Sequence, residues 1–195
     1  MTPYQKLVDD WKGCTRCPLH KTRCSVVMAR GPIPCDIFVC GEAPGKSEDV
    51  MGFPFAGPAG HEMDRIIRAS VPGHLRVCFG NLVGCIPVDD DGKKQGEPED
   101  ESIEACAPRL AKLIRMCNPK LVVRVGKVAK DWLTLGMRHS VKLDKVYEMV
   151  DVIHPAAVLR SKAPQVQKDA MINRSIITII KAVNEHFPEM SRAEN

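Results

Sequence analysis

Residues 37–60 read IFVC followed by GEAPGKSEDVMGFPFAGPAG, and the two parts behave differently. Ile37-Phe38-Val39-Cys40 is a short apolar run, the pattern of a strand buried on both faces. Gly41–Gly60 then packs five glycines and three prolines into twenty residues. That density rules out one regular helix or strand across the stretch and suits a loop folded tightly over something small. Glycine lets backbone approach a ligand, and successive N–H groups in such turns can hold an oxygen or an anion. Phe55 stands where a flat ligand can stack, and Glu42 and Glu48 lie on the same loop. From Ala59 the apolar residues take helical spacing, with Met63, Ile66 and Ile67. Strand, loop and helix in that order place a site at the carboxyl end of a strand. A purely structural glycine-rich connection is the competing reading.

Outward from this stretch, strands and helices alternate. On the amino side, Tyr4–Lys12 reads as an amphipathic helix with Tyr4, Leu7, Val8 and Trp11 on one face. Cys14-Thr-Arg-Cys17-Pro18 follows, and Thr22–Pro34 reads as a loop. On the carboxyl side, the helix from Ala59 ends near Val71-Pro72-Gly73. A second strand, Leu75–Phe79, closes on Gly80-Asn81, with Cys85 shortly after. Asp89–Glu101, DDDGKKQGEPEDE, reads as a solvated loop. Glu101–Met116 is helical, with Ile103, Ala107, Leu110 and Ile114 as its stripe and Cys106 on it. Leu121–Val125 is a third strand, leading through Gly126 into a helix to about Leu135. Glu148–Ile153 is a fourth, ending in His154-Pro155-Ala156-Ala157, and Gln165–Phe187 is the last helix.

This alternation predicts an α/β fold, a mainly parallel four-stranded sheet between helical layers. Carboxyl ends of parallel strands share one edge, so Glu42, Asn81 and His154 should converge. A lone strand-end histidine is more often a structural hydrogen-bonder. Three polar strand ends facing a glycine loop with an aromatic favour a site.

Composition sets the outer limits. A length of 195 residues predicts one domain, 1–195, with about 188–195 fraying. Apolar content of 44% and charged content of 27% suit a water-soluble globular chain. No apolar run approaches the ~20 residues that cross a bilayer. The N-terminus lacks the apolar core of a signal peptide, which predicts a cytoplasmic or nucleoid location. The net charge of +4 permits a polyanionic partner without demanding one. Nine cysteines in such a chain point to metal binding or catalysis, because disulfides are disfavoured in a reducing compartment. The Cys14/Cys17 pair has the spacing to hold a metal or a cluster iron, with two unrelated cysteines as the alternative. Cys40 and Cys78 read as small core residues within strands.

GEAPGKSEDVMGFPFAGPAG at 41–60 resembles the first motif of the uracil-DNA glycosylase superfamily, in its iron–sulfur family 4 branch. HPAAVLR at 154–160 resembles the second motif, and GNLVGC at 80–85 the segment between them. The likeness runs from Cys14 to the final helix. It implies a three-layer α/β/α fold of the uracil-DNA glycosylase kind and a 4Fe-4S cluster held by Cys14, Cys17, Cys85 and Cys106. That cluster would be structural rather than redox-active. It implies hydrolysis of the N-glycosidic bond at deaminated cytosine, the first step of base excision repair. The partner would be uracil-containing single- or double-stranded DNA, met by a monomer.

The resemblance also assigns roles. A glycosylase reaches its bond only with the nucleotide out of the stack. Phe55 matches the uracil-stacking aromatic. Asn81 matches the amide that reads the pyrimidine edge, donating and accepting at once. Glu48 matches the residue beside C5 that excludes a thymine methyl, and Gly41 and Ala43 belong to the same base pocket. His154 matches the donor to the uracil O2. Glu42 is the candidate to position water or stabilise the cationic sugar, since Ala43 stands where the best-known branch has its water-activating Asp. Leu159 would wedge into the base stack and Arg160 contact phosphate. Lys127, Lys130, Lys162 and Lys168 could extend the backbone-binding face, and Lys93 and Lys94 could approach DNA. Twenty residues separate Cys85 from Cys106, more than is usual in family 4. The loop between them has no histidine, which predicts turnover rather than the covalent capture of a sister branch. The alternatives are a glycosylase for another base, an iron–sulfur protein that binds uracil without cutting, and an electron carrier, which the pocket residues do not support.

Overall fold

The computed structural model describes residues 1–88, 96–133, 143 and 145–188. Its centre is a sheet of β1 (Ile37–Gly41), β2 (Val77–Asn81), β3 (Leu121–Val125) and β4 (Glu148–Val152). The strand order is β2-β1-β3-β4 and every pairing is parallel. A sheet with both faces covered needs apolar residues at every position, and β1 is buried throughout. Alternate side chains serve opposite layers. Phe38, Cys40 and Val122 pack with Leu7 and Trp11 of α1 (Pro3–Trp11) and with Leu110, Leu113 and Ile114 of α4 (Asp100–Cys117). Ile37, Val39 and Val123 pack with Met63 and Ile66 of α3 (Pro58–Ser70) and with Ile172 and Ile179 of α7 (Gln165–His186). Each fully buried side chain of this kind contributes about 1.5–3 kcal/mol. The three layers are those that alternation predicts, and the sheet is wholly rather than mainly parallel.

Two differences from the sequence reading bear on the site. β2 begins at Val77 and runs to Asn81, so Asn81 is the last residue of the strand and pairs with Gly41 of β1. The glycine-rich stretch is not all loop, because it holds a short helix, α2 (Lys46–Met51). Glu48 caps it, accepting the Gly45 N–H at 3.0 Å, and Gly52 ends it at φ +79°, a conformation glycine adopts freely. Past β3, α5 covers Lys127–Trp132, and past β4, α6 covers Pro155–Arg160. Residues 89–95, with Lys93 and Lys94, lie outside the described residues, as do 134–142, 144 and 189–195, which make up all but the first residue of the tail expected to fray from about 188. No described helix is long and apolar enough to cross a membrane.

Candidate active site

The chain leaves β1 for α3, crosses to β2, and then steps to the other side of β1 with β3. The strand order therefore changes direction between β1 and β3, and the carboxyl edge there is where open parallel sheets bind ligands. A cavity of about 810 Å³ opens at this edge. Its lining includes Glu42, Glu48, Phe55, Asn81, His154 and Arg160. The convergence predicted for Glu42, Asn81 and His154 is present, and the volume lies within the ~300–1,000 Å³ of small-molecule sites.

Close packing sets the positions of these groups. A Cβ on Gly41 would overlap Asn81 Oδ1 and stand 2.9 Å from the Phe55 ring. Glycine there lets the amide and the aromatic share one wall. Phe55 holds a φ of +58°, rare for a bulky residue and a mark of strain retained at functional sites. Gly60 permits this, because a Cβ there would overlap the Phe55 carbonyl. Phe79 supports the Phe55 ring, with centroids 5.4 Å apart. Asn81 is only 4% exposed, yet among the described residues nothing hydrogen-bonds its side-chain amide. An amide that lines a cavity, with no hydrogen-bond partner among the described residues, is equipped to bind a ligand with a donor and an acceptor side by side.

Glu48 has another duty. Its two carboxylate oxygens accept the N–H groups of Gly45 and Gly57, at 3.0 and 3.1 Å, which clips the two arms of the loop together. Asp49, unremarked in the sequence, is buried and accepts the N–H groups of Cys24 and Ser25. Those bonds anchor the same loop to the N-terminal segment.

His154 caps α6, its Nδ1 accepting the Ala156 N–H at 3.2 Å. An imidazole nitrogen that accepts carries no proton, so the neutral ring bears its proton on Nε2. Burial, and then Arg160, hold His154 below the usual imidazole range, with Glu48 opposing. At neutral pH the group is a neutral N–H donor. Gly126, at φ +88°, gives the ring its place, since a Cβ there would stand 3.1 Å from the His154 Cβ. Glu42 is pushed up to about 6, first by burial and then by Glu97, while Arg160 pulls it down. It is a carboxylate at neutral pH and protonates in mild acid. Leu159 is 48% exposed, so it is not part of the core, and it sits beside Arg160 on α6 rather than in an irregular loop. Ala43 also lines the cavity. Lys127 and Lys130 are paired to Asp131 and Asp151.

On the α4 side of this edge lie the cysteines. No three His, Cys, Asp or Glu side chains among the described residues stand close enough to hold a single metal ion. An iron–sulfur cluster takes one thiolate per iron and spreads its ligands wider than one ion does. Cys106 Sγ accepts from Arg109 Nε at 3.1 Å and from the Gly84 N–H at 3.4 Å. Cys85 Sγ accepts from Arg23 Nη1 at 3.6 Å. Burial, with Cys106 and Cys17 facing it, pushes the Cys85 thiol up to about 11, against the pull of Arg23. Cationic and backbone donors aimed at buried sulfur suit thiolates better than thiols. The donor set therefore fits a thiolate-held group.

A family model described as the uracil DNA glycosylase superfamily matches residues 28–175. A type-4 uracil-DNA glycosylase of Pyrobaculum aerophilum is 34% identical over 85% of this chain and 90% of its own. One from Thermotoga maritima is 30% identical over 80% and 83%. One from Archaeoglobus fulgidus is 29% identical over 82% and 84%.

Proposed function

This chain belongs to the uracil-DNA glycosylase superfamily, and we propose that it is a type-4 uracil-DNA glycosylase, hydrolysing uracil from DNA to start base excision repair. The observation that carries this reading is the Asn81 amide, on a residue only 4% exposed and with no side-chain hydrogen bond among the described residues, in a cavity with a neutral Nε2–H histidine and a carboxylate.

The uracil edge offers a carbonyl acceptor beside an N–H donor, and the Asn81 amide supplies the complement. Cytosine presents the opposite order at the same atoms, so the amide orientation that serves uracil would set donor against donor and acceptor against acceptor. Phe55 stacks on the ring, and Glu48 stands beside C5. As the glycosidic bond breaks, negative charge grows on uracil and positive charge on the sugar. His154 Nε2–H donates to O2 and stabilises the departing anion, and removal of such a donor costs about 10²–10³ in rate. The Glu42 carboxylate faces the sugar, where it stabilises the cation and orients the attacking water. Leu159 and Arg160 meet the DNA, the first filling the gap left by the flipped base and the second pairing with phosphate. Cys14, Cys17, Cys85 and Cys106 would hold the 4Fe-4S cluster. That group, when bound, supplies a covalent tie between the N-terminal segment and α4. DNA in single- or double-stranded form is the partner, and the monomer is the acting unit.

The test compares the unmodified protein with His154→Ala and Asn81→Ala on a uracil-containing oligonucleotide. Both variants should keep the melting temperature within a few degrees and lose at least about 10²-fold in single-turnover rate. Uracil release at the unmodified rate by either would overturn the assignment.

A further inference from the structure

Arg109 is 0% exposed, and its guanidinium reaches two places at once. Nε donates to Cys106 Sγ at 3.1 Å, while Nη2 donates to the backbone carbonyls of Asn81 at 2.7 Å and Leu82 at 3.1 Å. Nη1 is buried, with no hydrogen-bond partner among the described residues. Among the described residues no carboxylate pairs with it. Burying an unpaired cation costs several kcal/mol, so a native chain retains one only with a compensating anion. Cys106 becomes that anion when its sulfur binds iron, since a coordinating thiol is deprotonated outright. Cys106 and Arg109 lie three residues apart on α4, on one face of the helix.

We infer that Arg109 is a positioning residue, bridging the cluster thiolate of Cys106 to the end of β2 that carries Asn81. The inference rests on the glycosylase reading above. Loading the four cysteines gives Arg109 its counter-charge, and the loaded anchor then holds the Asn81 carbonyl in place. The base-reading amide is built on that backbone. The metal site is thereby coupled to the pocket through one side chain. It does so without touching the base. Lysine has one ammonium head instead of a planar fork, so it can keep the charge but cannot make both ends of the bridge.

The experiment uses anaerobically purified, iron-loaded protein and two variants, Arg109→Met and Arg109→Lys. One readout is the midpoint potential of the cluster without DNA, which no activity enters. The other is the split between affinity and single-turnover rate on a uracil oligonucleotide. Loss of a cation and of an N–H···S bond should move the Arg109→Met potential to more negative values. Its single-turnover rate should fall about 10- to 100-fold, with affinity for uracil-free DNA unchanged. Arg109→Lys should keep the potential nearer that of the unmodified protein and still lose rate. An Arg109→Met protein with both readouts at unmodified values overturns the inference, as does a rate loss with no change in potential. Should Arg109→Met fail to fold, Arg109→Lys decides, and an unmodified rate there contradicts the bridge. Absence of uracil release from the unmodified protein would sink the glycosylase reading alone, because the potentials still test the contact with Cys106.

Discussion

At the scale of the residue, protonation states organise the account. His154 acts neutral and Glu42 acts charged, so both lose their working form in acid. The single-turnover rate should rise with pH through about 6 and then stay level to about pH 8. Glu42→Gln should remove the part of that rise that Glu42 supplies, leave the part from His154, and lower the plateau. A rate that falls as pH climbs through 6 would contradict a neutral His154. Stability carries its own signature. The Glu42 value of about 6 in the folded chain lies above its ordinary 4.5, so the folded state binds more protons between them. Its contribution is present below about pH 4.5 and is lost as pH rises through about 6. Melting curves of the unmodified protein and Glu42→Gln should therefore diverge across that window, the unmodified protein losing stability relative to the variant. Glu42, Asn81 and His154 could be found in the sequence because each follows an apolar strand. Arg109 could not. It occupies a helical position between apolar residues, where an arginine looks like solvated surface, and only the folding of α4 against the end of β2 shows that it is buried.

At the scale of the element, glycines and a clipped loop set the geometry. Gly126→Ala forces a side chain to φ +88° against His154, which should cost about 1–3 kcal/mol of stability and lower the rate as the ring shifts. An unchanged melting temperature and rate would show that His154 has room to spare. Glu48→Ala removes the acceptor shared by the Gly45 and Gly57 N–H groups. Its loss should destabilise the protein by about 1–3 kcal/mol and open residues 45–57 to protease. The glycine and proline density of this stretch hid α2, a helix made possible by a cap three residues into it rather than by apolar periodicity. The start of β2 was also misplaced, because Leu75 and Arg76 continue the apolar-polar pattern before the pairing with β1 begins at Val77.

At the scale of the whole molecule, parallel pairing gathers distant residues on one edge, and this was legible from alternation alone. The cysteine set was not. Spacing made Cys14 and Cys17 a pair, while Cys85 and Cys106 entered only by family resemblance, since nothing local to them marks a ligand. Removal of iron should loosen the N-terminal segment and lower Tm, by about 2–4 °C for each kcal/mol lost at this chain length. A Tm unchanged by iron removal would deny the tie. The central claim is that this edge cleaves uracil from DNA. It is tested most directly by release of free base from matched uracil, thymine and hypoxanthine oligonucleotides with iron-loaded protein. The account predicts free uracil and an alkali-labile strand from the first, and no base from thymine. No uracil released by protein with its iron intact, or equal release of thymine, would contradict it.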